Sequence, residues 1–186
     1  MLRRLLPLAL LVSAQSLADP GVVDPVLRER LAKAAAQANS FVDRFDAEVW
    51  LTDMSNRLRA QVPDHDERLT ILQLTHAEAR RVDLPPELVL AVIDVESNFD
   101  RFALSEAGAR GLMQVMPFWV DEIGRPEDNL FEVPTNLRYG CTILRYYYDM
   151  EDGDLFQALA RYNGSTGKRW YPERVLGRLS RKWFQQ

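Results

Sequence analysis

Cysteine is almost missing from this chain: Cys141 is the one thiol in 186 residues. A disulfide framework within the chain is excluded, as is any zinc or iron–sulfur site built on several thiolates. Histidine is scarce too, and His65 and His76 have no further ligand at metal-binding spacing, so no metal and no other cofactor is expected. A Ser–His nucleophile would also need an elbow of the form Gly-x-Ser-x-Gly, which does not occur. A basic excess is lacking: 23 Lys and Arg stand against 27 Asp and Glu, so nucleic acid is not an expected partner. No apolar run approaches the ~18 residues that span a bilayer, so no transmembrane segment is expected.

What is present suits an ordinary folded domain, with 47% hydrophobic residues and no low-complexity tract. Residues 1–18 read as a secretory signal peptide. Arg3 and Arg4 precede the apolar stretch Leu5 to Val12, and Ser16-Leu17-Ala18 forms a small-x-small cleavage site. No cysteine follows that site, which argues against a lipid anchor. The expected location is periplasmic or otherwise exported.

The rest of the chain carries helical spacing and no convincing strand, so the fold class is mainly α. From Val26 to Val62 neither Pro nor Gly intervenes, and apolar residues recur at Leu27, Leu31, Ala34, Ala38, Phe41 and Phe45. The phase then slips, through Val49 or Trp50 to Met54 and Leu58. Either one long helix bends there or Asn39-Ser40 caps a second one. This N-terminal segment, 19–66, is either an arm packed on the main body or, through residues 24–62, a surface for an envelope-protein partner. Asp64 with Glu67 has capping-box spacing and opens a helix ending near Val82. Asp83-Leu84-Pro85-Pro86 breaks the chain, and Glu87 to Ser97 follows as a helix apolar nearly all round, which must be buried on most sides. Asn98 to Met116 reads as loop or a small hairpin. Pro134 opens a helix along Leu137, Cys141, Leu144 and Tyr148. Asp154 caps a short helix to Tyr162, residues 163–167 form a turn, and Pro172 starts a last helix along Val175, Leu179 and Trp183.

Chemistry concentrates at Glu96. This carboxyl ends the apolar helix, and two readings of it stand side by side. It faces solvent at a helix terminus, or it lies against apolar neighbours that raise its proton affinity toward that of an acid useful at neutral pH. Gly-Ser-Thr-Gly-Lys at 164–168 lacks the Walker spacing and points to no phosphate site.

Three blocks in order carry a resemblance. They are Glu96-Ser97-x-Phe99; Ser105-x-Ala107-Gly108-Ala109-x-Gly111-Leu112-Met113-Gln114-x-Met116-Pro117; and Ala160-x-Tyr162-Asn163-Gly164, with Asn136 and Gly140 between the last two. Over residues 67–186 the chain resembles the family 1 soluble lytic transglycosylases, which have a lysozyme-like catalytic domain. That resemblance implies a helical N-terminal segment followed by such a domain at 67–186, acting on peptidoglycan glycan strands. It implies Glu96 as the sole catalytic acid and base, and Ser105, Gln114 and Met116 as lining the glycan site. Tyr162 matches a tyrosine that hydrogen-bonds near the catalytic carboxyl, with Asn163 beside it. The implied reaction cleaves the β-1,4 bond from N-acetylmuramic acid to N-acetylglucosamine without water. A hydrolytic muramidase would need either a second carboxylate facing Glu96 or an ordered water, with Asp100 and Glu106 the nearest carboxylates in sequence, and a non-catalytic peptidoglycan-binding scaffold would need neither. The chain departs from the family pattern at Asp100-Arg101, Phe118-Trp119 and Ser165.

Overall fold

The structure, a computed structural model, describes Ser40 and residues 44–184. The signal segment and the helical repeat from Leu27 to Ala38 lie outside the described residues. Seven α-helices are present among those described: α1 (Arg44–Leu58), α2 (His65–Arg81), α3 (Pro86–Glu96), α4 (Phe118–Ile123), α5 (Val133–Met150), α6 (Leu155–Tyr162) and α7 (Trp170–Arg178). A π-helical turn, Leu179–Trp183, continues from α7. Residues 98–116 form a loop closed by isolated antiparallel bridges, Leu104 to Arg110 and Arg110 to Val115. No helix among the described residues is long and apolar enough to cross a membrane.

Local chemistry explains the helix ends. The Asp64 carboxylate accepts the Glu67 N–H at 2.8 Å and opens α2, and Asp154 accepts the Gln157 N–H at 3.1 Å and opens α6. Pro86 and Pro134 stand in the first turns of α3 and α5, where a missing N–H leaves no bond unmade. The last helix begins at Trp170 rather than Pro172. Pro172 falls in its first turn, among the four N–H positions that lack a helical partner in any case, so the proline tolerates two helical residues before it.

The core gathers around α3, whose Leu88 to Ile93 are at most 2% exposed. Along α1 the buried positions are Trp50, Met54 and Leu58, so the second phase of the sequence pattern faces inward and shares this core. Polar groups fasten the same helix. Trp50 Nε1 donates to Glu87 at 2.7 Å, and the buried Arg68 donates to Ser55 Oγ at 2.9 Å and to the Val62 carbonyl at 2.6 Å. His76 meets the Trp50 ring edge-on at 5.0 Å. Burial, with the Arg80 charge nearby, pushes His76 down to about 4, so it packs as a neutral ring.

A second clasp joins α1 to the C-terminal turn. Arg57, paired with Asp53, donates to the Lys182 and Phe184 carbonyls at 2.6 and 3.2 Å. Beneath it, the buried Asp94 of α3 accepts from Trp183 Nε1 at 2.9 Å, Lys182 Nζ at 3.1 Å and Gln61 Nε2 at 3.2 Å. Lys182 also donates to the Gln61 carbonyl oxygen of its side chain.

Helix α1 is thus part of the folded body. A chain beginning at Pro63 loses Trp50, Met54, Leu58 and Val62 from the core, at about 1.5–3 kcal/mol each. That loss is comparable with the whole stability of a typical domain, ~5–15 kcal/mol. The expected outcome is loss of cooperative thermal unfolding and of near-ultraviolet circular dichroism.

Candidate active site

Glu96 is the last residue of α3, one position after Val95 and three after the fully buried Ile93. It is half-buried, and its carboxyl oxygen accepts the Tyr171 hydroxyl at 2.5 Å. Burial raises Glu96 from 4.5 to about 7, while the Tyr171 hydrogen bond and the Arg174 charge oppose the rise. The negative end of the α3 dipole, where this carboxyl sits, disfavours its anion as well. Of the two sequence readings, the apolar one describes the site.

The chain turns sharply after Glu96. Ser97 caps the helix and its hydroxyl donates to the Leu112 carbonyl at 2.8 Å. Asn98 and Phe99 both take left-handed backbone, with φ of 51° and 67°, which is costly for residues with side chains. The gain is Phe99, which drops into the core against Trp183 at 5.4 Å between ring centres.

The Gly-Leu-Met-Gln loop is tied to α5 by one buried amide. Asn136 donates to the Arg110 and Leu130 carbonyls at 2.8 Å each and accepts the Met113 N–H at 2.8 Å. Gly111 permits that approach: its φ is +71°, and a Cβ there would stand 2.4 Å from Asn136 Nδ2. Gly140, one turn along α5, makes room in the same way, since a Cβ would lie 2.4 Å from Met113 Sδ. Tyr162 completes the arrangement by donating to the Met113 carbonyl at 2.7 Å.

The expected site residues therefore divide. Tyr162 stands within electrostatic reach of Glu96, whose charge helps hold its hydroxyl well above the usual range after the larger effect of burial. Its hydrogen bond nevertheless goes to Met113, and the tyrosine on the carboxyl is Tyr171. Gln114, in left-handed backbone with φ 49°, commits its amide nitrogen to the Gly111 and Ala103 carbonyls at 2.9 and 3.2 Å. Ser105 accepts the Ala109 N–H at 3.0 Å and closes its own turn. Met116 is half-buried just before α4, and Asn163 caps α6 through its N–H to Leu159. Ser165 is buried, and its hydroxyl donates to the Ala160 carbonyl at 3.4 Å.

Tyr171 is the functional side chain that spacing alone did not single out. A signal existed: it lies on the stripe Tyr171, Val175, Leu179, and a phenol on an apolar stripe must find a hydrogen-bond partner. Burial and the Glu96 charge hold Tyr171 well above its ordinary range, so it remains a donor.

Two measurements check this electrostatic picture. The folded chain keeps the Glu96 proton up to about pH 7, whereas the unfolded chain releases it near 4.5. Folding is therefore weakened as pH rises through that window. Glu96→Gln, which cannot ionise, matches the parent below pH 4.5 and becomes more stable above it. The gain levels off above pH 7 at about 3 kcal/mol and is read from the melting temperature. Tyr171→Phe removes a donor to the anion, so Glu96 titrates higher by about one pH unit, followed by carbon NMR of the labelled carboxyl.

A profile of the transglycosylase SLT domain matches residues 73–181. The transglycosylase of Enterobacteria phage PRD1 is 32% identical over 111 residues, covering 56% of this chain and 41% of that protein. Membrane-bound lytic murein transglycosylase C of Yersinia pestis (strain Pestoides F) is 30% identical over 124 residues, 57% of this chain and 35% of that protein. The chain thus spans less than half the length of these curated relatives. The 70 kDa soluble lytic transglycosylase of Escherichia coli aligns in structure over 81% of this chain and 25% of its own, at 24% identity and a TM-score of 0.46. With the profile covering more than half of its residues, this chain belongs to the family of the transglycosylase SLT domain.

Proposed function

We propose that the chain is a peptidoglycan lytic transglycosylase in which Glu96 acts first as acid and then as base. The observation that carries this reading is a half-buried carboxyl raised to about 7 and bonded by Tyr171, in a chain of the SLT family. Near neutral pH both protonation states are accessible, as a group that must give and then regain a proton requires.

The steps balance within the substrate. Neutral Glu96 protonates the glycosidic oxygen, the bond from C1 of the muramoyl residue breaks, and N-acetylglucosamine leaves with a hydroxyl. The substrate's own acetamido group shields the positive charge developing at C1. The Glu96 carboxylate then takes the proton of the C6 hydroxyl as that oxygen closes on C1. A 1,6-anhydro end forms, Glu96 is again protonated, and no water is consumed. Tyr171 holds the carboxyl in place through both transfers, and Tyr162 and Asn136 support the site by fixing the Met113 segment.

A muramidase needs a second carboxylate facing Glu96, or an ordered water in its place. Asp100 is exposed and accepts the Phe102 N–H at 2.8 Å, and Glu106 is exposed. No carboxylate among the described residues contributes to the rise at Glu96. This favours the single-acid route. The relatives named membrane-bound, and the signal-like residues 1–18, support work outside the cytoplasm.

Purified peptidoglycan treated with the chain is expected to release anhydromuramoyl products, identified by mass spectrometry. Glu96→Gln is expected to lower turnover by at least about 10³-fold while retaining glycan binding. Reducing-end products would replace this reading with hydrolysis.

A further inference from the structure

Helix α7 brings more than Tyr171 to Glu96. Trp170 and Arg174 are four residues apart and share one face of that helix. The Arg174 charge acts on Glu96, so the two lie within electrostatic reach. The Trp170 ring meets the Tyr171 ring edge-on at 5.7 Å and 85°, so the indole adjoins the phenol that holds Glu96.

Both side chains are left in water. Trp170 is 52% exposed although Tyr171 beside it is 1% exposed. Arg174 is exposed, and among the described residues it makes no ion pair within 4 Å. The neighbouring Arg169 differs, since it pairs with Glu173 at 2.8 Å and lies 5.3 Å over the Phe156 ring. Arg169, just before α7, is thus neutralised and packed, while Arg174, whose charge reaches Glu96, pairs with no described carboxylate and stands next to an indole the core does not use.

We propose that Trp170 and Arg174 form a recognition platform beside Glu96, the indole stacking on the apolar face of a sugar ring and the guanidinium pairing with a carboxylate borne by that sugar. The platform rests on the peptidoglycan reading above. An indole offers a broad apolar surface with little flexibility to lose, and a guanidinium fork matches carboxylate geometry. In peptidoglycan the anionic sugar is the muramoyl residue. Its carboxylate is that of the lactyl ether when bare, or those of the stem peptide when substituted.

The test uses the full chain carrying Glu96→Gln and three glycans: an uncharged N-acetylglucosamine oligomer, glycan strands stripped of peptide, and peptide-bearing strands. Calorimetry is expected to show Trp170→Ala weakening all three about tenfold, ~1.4 kcal/mol, with Trp170→Phe recovering most of the loss. Arg174→Gln is expected to weaken only the charged glycans, by about fivefold, with Arg174→Lys recovering part. A loss confined to stripped strands identifies the lactyl carboxylate, a loss confined to peptide-bearing strands identifies the stem, and equal losses on both show that the guanidinium pairs with either carboxylate. In chains with Glu96 intact, assayed near pH 5, KM rises while kcat and melting temperature hold. Unchanged binding in both variants, or a loss in Arg174→Gln that extends equally to the uncharged oligomer, overturns the platform. Failure of the parent chain to yield anhydro products instead defeats the proposed reaction, leaving the binding result to stand or fall separately.

Discussion

The near-complete burial of α3 is the constraint on which the site depends. Eight of its eleven residues are buried, so α2, α7 and the C-terminal turn must all be in place around it before its apolar surface is satisfied. A helix held from so many sides delivers its last residue to a fixed point. The same enclosure removes water from one flank of Glu96, so the packing that positions the carboxyl also raises its proton affinity. Immobility and acid strength have one physical source. The helix carries a second buried acid and treats it differently: Asp94 is surrounded by Trp183, Lys182 and Gln61, whereas the hydrogen bond at Glu96 comes from Tyr171 alone among the described residues.

Asn136 plays the corresponding part for the loop that follows. A single buried amide satisfies two carbonyls and one N–H of a segment with no regular ladder of its own. Gly111 and Gly140 allow the backbones to come that close. The polar residues of this loop are then largely occupied with its own shape, as Gln114 and Ser105 show. What they offer a substrate is a rigid frame, and α7 supplies the exposed groups.

Much of this was legible in the amino-acid order. An all-round apolar run followed by a carboxylate marked both α3 and Glu96, and aspartates at helix starts and prolines in first turns set boundaries close to those observed. Tyr162 was legible as a member of the motif, although its partner was not. Tyr171 was missed because its bond to Glu96 spans 75 residues and depends on how α7 crosses α3. Pro172 also drew the start of that helix two residues too late, since proline marks a first turn without saying which position in it. The π-helical turn left no periodic trace. It is stabilised by what Trp183 and Lys182 reach, Asp94 and Gln61, rather than by local spacing.

The Arg57 clasp has a consequence for when the structure can exist. Its two carbonyl partners lie 125 and 127 residues later in the chain. Helix α1 emerges early and meets Arg68, His76 and Glu87 soon afterwards, yet the carbonyls that Arg57 grips appear only as synthesis nears Phe184. At roughly 5–20 residues per second, Arg57 waits on the order of ten seconds for those two carbonyls. The last fastening of the N-terminal helix is thus reserved for the end of synthesis.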